Sequence, residues 1–82
     1  MQLQSAQAFA GFVRANRLSA HMTQQELAQA SRKSRRWVHD LESGKVVPSL
    51  SAAVEVAAVL GYSVTLERSE RSDILDRVFE DL

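Results

Sequence analysis

Eighty-two residues allow one small domain, with a core barely large enough to hold a monomer together, so pairing of copies is an expected source of stability. The chain has no cysteine, which excludes a disulfide framework and a thiolate metal centre. Ten Lys and Arg balance ten Asp and Glu, and a net charge of zero argues against an indiscriminate nucleic-acid binder.

The balance hides a polarity along the chain. Residues 1–45 hold seven Lys and Arg against three acids, a net +4, and residues 46–82 hold three Arg against seven acids, a net −4. A basic front and an acidic rear suggest two different partners, set against the plainer reading that the acids are a solvated face. No apolar run approaches the roughly 20 residues of a membrane span, and no basic-then-apolar leader opens the chain. The expectation is a cytoplasmic protein.

Ser5 is placed to cap a first helix running to about Arg17. Its apolar face is Ala6, Phe9, Ala10 and Val13, flanked by Phe12, at helical spacing. Arg17 falls one turn after Val13, at the edge of the core. A half-buried Arg needs a carboxylate partner, and Glu42 is the candidate. Residues Leu18 to Met22 form a connector, with Met22 tucked into the core.

Thr23-Gln24-Gln25-Glu26 is a capping box that opens a second helix carrying Leu27, Ala28 and Ala30. Ser31-Arg32-Lys33 reads as a turn, and Ser34 as the N-cap of a third helix. In that helix Val38 and Leu41 face inward. At about 100° per residue Arg36 then points away from the core, with His39, Asp40 and Ser43 around it. Arg35 sits at the leading end, and Gly44 just past the helix. Two short helices, a tight turn and a basic patch on the second make the layout of a helix-turn-helix unit.

The stretch resembles the helix-turn-helix of the phage-repressor (Xre-type) family. Thr23, Gln24, Glu26, Leu27 and Ala28 match its T-Q-x-E-L-A opening, and Leu41, Glu42, Gly44 and Lys45 match its closing pattern. Pro48 and Ser49 match the start of its next helix. The resemblance covers roughly residues 9 to 61 and also implies an ion pair between Arg17 and Glu42. One position departs. The family usually has Gly in the turn, in a left-handed conformation, where this chain has Arg32. A non-Gly residue there costs about 1 kcal/mol, which points to a turn built differently.

Pro48-Ser49 opens a fourth helix, with Leu50, Ala53, Val54, Ala57 and Leu60 along one side and Gly61 ending it. Apolar on most sides, this helix is expected to pack on the DNA-binding unit and to meet a second surface, its copy in a dimer. Tyr62, Val64 and Leu66 then alternate with Ser63, Thr65 and Glu67, a strand signal reaching Arg68. A lone strand in a helical chain leaves its backbone groups unpaired. Pairing with the same strand of a second copy across a two-fold axis solves this. A helix-turn-helix followed by L-G-x-S-V-x-L resembles the HipB-type antitoxins. That resemblance implies a dimer sharing the strand, a kinase-like toxin as partner, and repression of the operon encoding both. It also implies a bacterial, nucleoid-associated protein.

Ser72 is placed to cap a short last helix with Ile74, Leu75, Val78, Phe79 and Leu82 along an apolar stripe. At about ten residues it is too short to stand alone. Either it packs on its own dimer, or it docks on another protein, with Ile74, Leu75, Val78 and Phe79 as the toxin-facing candidates.

The chemistry centres on DNA. Arg35 and Arg36 can each bind O6 and N7 of a guanine through two N–H donors, against a plainer role on phosphate. Gln24 stands at the first N–H groups of its helix, a site suited to phosphate, and the phage-repressor resemblance implies the same role. Arg32, Lys33, Ser34 and Lys45 are further phosphate candidates. His39 lies on the outer face, near base or phosphate. Trp37 is expected mainly to pack, with its ring edge near the DNA or the first helix. His39 and Glu42 are three apart, but Glu42 is better explained by Arg17, so no metal site is expected. There is no Gly-rich phosphate loop and no nucleophile with a base at helical spacing. Neither an enzyme nor a cofactor is expected. The sequence thus predicts an all-α, lambda-repressor-like domain of five helices with one short C-terminal strand pairing across a dimer. Residues 1–68 form the DNA-binding and dimerisation domain, and residues 69–82 an acidic amphipathic tail.

Overall fold

The structure, a computed structural model, describes residues 5–68. It contains four helices: α1 (Ala6–Ser19), α2 (Gln24–Ser31), α3 (Arg35–Glu42) and α4 (Leu50–Val59). Each is opened by the residue the sequence predicts. The hydroxyls of Ser5, Thr23, Ser34 and Ser49 accept from the backbone N–H three residues on, satisfying a donor that the helix itself leaves free. At α2 the box is complete: Glu26 N–H donates to Thr23 Oγ1 at 3.0 Å and Thr23 N–H donates to Glu26 Oε1 at 2.9 Å. That second bond favours the ionised carboxylate, and it holds the pKa of Glu26 below its ordinary value.

Each helix also ends in one way. A residue in the left-handed region follows it, and the next N–H reaches back five residues: Met22 to Arg17, Lys33 to Ala28, Lys45 to Asp40, Tyr62 to Ala57. The left-handed residues are His21, Arg32, Gly44 and Gly61, at φ 56°, 59°, 81° and 87°. The turn between α2 and α3 is therefore the left-handed one after all. Arg32 adopts the conformation that the sequence reading took to need Gly, because two backbone bonds and the following N-cap at Ser34 fix the chain there.

The core is Phe9, Phe12, Val13, Leu27, Ala28, Val38, Leu41 and Val56, with Met22, Trp37, Ala53, Val59 and Leu60 packed on its rim. α3 lies against both α1 and α2, and α4 closes the side of α2. Two expectations change. Ala6 is exposed, and Phe12 is a core residue rather than a flank. In α4 the buried side is Ala52, Val56 and Ala57, which leaves Leu50 and Val54 exposed at 72% and 43%.

The predicted strand is not formed among the described residues. Residues 62–68 are neither helix nor strand, and beyond Tyr62 their backbone has no hydrogen-bond partner among the described residues. Tyr62 turns back on α1 instead. Its ring meets Phe12 edge-on at 4.8 Å, and its hydroxyl donates to Asn16 Oδ1 at 2.8 Å. The predicted last helix, with Ile74, Leu75, Val78 and Phe79, lies outside the described residues. No helix among the described residues is long and apolar enough to cross a membrane.

Two stability measurements check this account. Arg32→Gly is expected to raise the free energy of unfolding by less than about 1 kcal/mol, because relief of the left-handed strain is partly offset by a freer unfolded chain. Because the folded pKa of Glu26 is lowered, its contribution is present above the unfolded value and lost as pH falls through the folded one. Thermal melts across the acid range are expected to fall less steeply for Glu26→Gln than for the natural chain.

Candidate nucleic-acid interface

The site is built on a buried ion pair. Arg17 Nε donates to Glu42 Oε2 at 2.7 Å and Nη2 to Oε1 at 3.0 Å, a two-bonded fork between side chains only 9% and 3% exposed. Glu42 raises the pKa of Arg17 above its ordinary value by accepting these bonds. Arg17 Nη1 donates in addition to the carbonyl of Met22 at 2.8 Å, and Gln24 Nε2 to Glu42 Oε1 at 3.3 Å. One charge cluster thus fixes the end of α1, the start of α2 and the end of α3 to one another. No buried side-chain polar atom among the described residues lacks a partner.

This frame sets the outer face of α3 beside the first turn of α2. Gln24, Arg35, Arg36, His39, Asp40 and Lys45 line one open groove. Arg36 projects outward, with its side chain 92% exposed, as the helix angle predicts. Three permanent cations and one carboxylate meet here, so the groove is net positive although the chain is neutral. Gln24 is held by Glu42 and still borders the groove, which suits a preset phosphate contact.

The other predicted contacts divide. Ser34 caps α3 through Trp37 N–H at 3.0 Å, leaving its own O–H free to donate. Lys33 and Arg32 do not join the groove. Lys33 is drawn toward α4, with Nζ 3.4 Å from Glu55 and 5.6 Å from the centre of the Trp37 ring. Arg32 borders a separate depression with Ala30, Ser31 and Glu55. Trp37 is half-buried against the core, in agreement with a packing role. Of the residues predicted to pair copies, Tyr62 is engaged by α1, while Val64 and Leu66 are 44% and 96% exposed. Asp40 is a groove residue that the predicted contacts omit. Its signal in the sequence is its position one turn after Arg36.

A compact helical frame, two helices joined by a tight turn, and a cationic outer face on the second define a helix-turn-helix DNA-binding domain. Residues 8–69 match the family model described as a helix-turn-helix domain. The chain belongs to that family, whose match spans most of its length and supports the Xre-like resemblance at the level of the motif. No curated protein matches the chain.

Glu42→Ala strands a buried guanidinium and is expected to cost about 3–5 kcal/mol in denaturant unfolding. Replacing both partners by Leu is expected to recover most of that loss, because no charge is then left unpaired.

Proposed function

We propose that this chain is a sequence-specific DNA-binding transcriptional repressor that works as a homodimer. The observation that carries the reading is the groove of Gln24, Arg35, Arg36, His39 and Lys45 on the side of α3 turned away from the core. Each α3 enters the major groove of one half-site, and the half-sites lie about 34 Å apart. Arg35 and Arg36 read guanine edges, while Gln24, Ser34 and Lys45 fix the register on phosphate. Lys33 and Arg32, at the periphery, reach phosphate only by leaving their present neighbours. For Lys33 this is a small cost, since an exposed ion pair contributes about 0–1 kcal/mol.

Pairing is supported by apolar side chains left in water: Leu50 and Val54 on α4, and Val64 and Leu66 beyond it. In a dimer, residues 62–68 of two copies form a two-stranded antiparallel ribbon, which gives the backbone after Tyr62 the hydrogen bonds it lacks among the described residues.

The finer reading makes this repressor the antitoxin of a HipBA-like module. It neutralises a kinase-like toxin by forming a complex with it and represses the operon encoding both. Its support is the resemblance at Leu60-Gly61-Tyr62-Ser63-Val64-Thr65-Leu66. The acidic tail 69–82 fits a protein partner by charge and pattern. A stand-alone repressor is the rival, and the match to the helix-turn-helix family fits both readings alike.

Selection from a randomised duplex pool, followed by titration, tests the DNA reading. Arg36→Ala is expected to relax discrimination at one base pair per half-site by about 1–3 kcal/mol. Lys45→Ala is expected to weaken all sequences alike and to lower the salt slope by about one unit. An Arg36→Ala profile identical to that of the natural chain refutes the base-reading role. Sedimentation is expected to show a dimer, and a monomer at every concentration removes the pairing. Removing residues 69–82 distinguishes the two finer readings. Lost binding to a neighbouring kinase-like gene product, with operator binding retained, supports the antitoxin, while joint loss of stability and DNA binding supports a tail that merely packs.

A further inference from the structure

Asp40 is a carboxylate on a surface otherwise built to meet an anion. It lines the groove with Arg35, Arg36, His39 and Lys45, and its side chain is 24% exposed. Its contacts are weak. Oδ1 lies 3.4 Å from His39 Nδ1, and Oδ2 lies 3.9 Å from Arg36 Nε, beyond hydrogen-bond length. A surface meant only for phosphate would gain from a neutral or basic residue here, since a carboxylate repels the backbone it approaches. Most of the acceptor capacity of Asp40 is therefore unused on the groove face where, in the DNA-binding reading, bases would stand.

Resting on the DNA-binding reading above, we propose that Asp40 is a second base-reading residue that works as a pair with Arg36. Arg36 donates to N7 and O6 of a guanine, and Asp40 accepts from the N4 amine of the cytosine paired with it. The major-groove edge of a G·C pair presents two acceptors and then a donor. Arg36 and Asp40, one turn apart on α3, present two donors and then an acceptor in the same order. The pair thereby fixes which strand carries the guanine. It also penalises A·T and C·G pairs twice, once through an unmatched guanidinium and once through a carboxylate facing an acceptor, and T·A once, through a guanidinium that meets a methyl group in place of N7.

The test uses the full chain and the duplex chosen by selection, at the base pair where Arg36→Ala relaxes the preference. One cytosine there is replaced by N4-methylcytosine. The methyl group takes the place of the outward N–H, while the guanine and the Watson–Crick pairing remain. The natural chain is expected to lose about five- to tenfold in affinity, in line with one lost base contact. Asp40→Ala is expected to be indifferent to the methyl group and to bind unrelated duplexes more tightly than the natural chain does. Asp40→Asn, close in shape, is expected to tolerate adenine better at this pair, since an amide suits N6 and N7. A natural chain indifferent to the methyl group, or an Asp40→Ala variant just as sensitive to it, overturns the proposal and leaves Asp40 as a neighbour that only steadies Arg36. A natural chain with no preferred duplex overturns this proposal together with the DNA-binding reading.

Discussion

The fork between Arg17 and Glu42 is the interaction on which the geometry of the domain rests. Each partner would be costly to bury alone, and each satisfies the other through two bonds. A further donor of Arg17 takes up the Met22 carbonyl, and Glu42 also accepts from Gln24. A hydrophobic contact of equal strength would hold α1 near α3 without fixing an angle. The fork is directional, so it fixes both the approach of α3 and the position of Gln24 at the groove. At Gln24 the scaffold and the groove therefore meet.

Much of this was legible in the sequence because it is local. A hydroxyl three residues before the N–H it caps leaves a mark at fixed spacing, and all four caps were found that way. The inward Val38 and Leu41 and the outward Arg36 follow from the helix angle alone. The Arg17–Glu42 pair spans 25 residues, yet it is legible because a half-buried Arg demands a carboxylate and the phage-repressor resemblance pairs these two positions.

The misses have equally definite causes. Arg32 was judged by its intrinsic strain, about 1 kcal/mol, which two turn bonds and an N-cap together outweigh. The buried side of α4 was misplaced because a helix of Ala, Val and Leu on nearly every side carries little angular information. Its packing on α2 and the core selects Ala52, Val56 and Ala57 over Leu50 and Val54. Tyr62 reads as a strand residue by alternation, but Phe12 and Asn16, 46 residues away from its hydroxyl in the case of Asn16, offer its ring an edge and its hydroxyl an acceptor. Lys33 reads as a basic turn residue until Glu55 is brought up beside it.

The four matching helix ends have a consequence for how such a domain can change. Each turn is closed by its own backbone bonds around His21, Arg32, Gly44 or Gly61, so the path of the chain is dictated locally. Arg35, Arg36 and His39 are exposed and Asp40 is partly so, and none belongs to the buried cluster. The scaffold and the lettering on its outer face are therefore nearly independent. Mutation can rewrite those four positions while the domain that displays them folds as before.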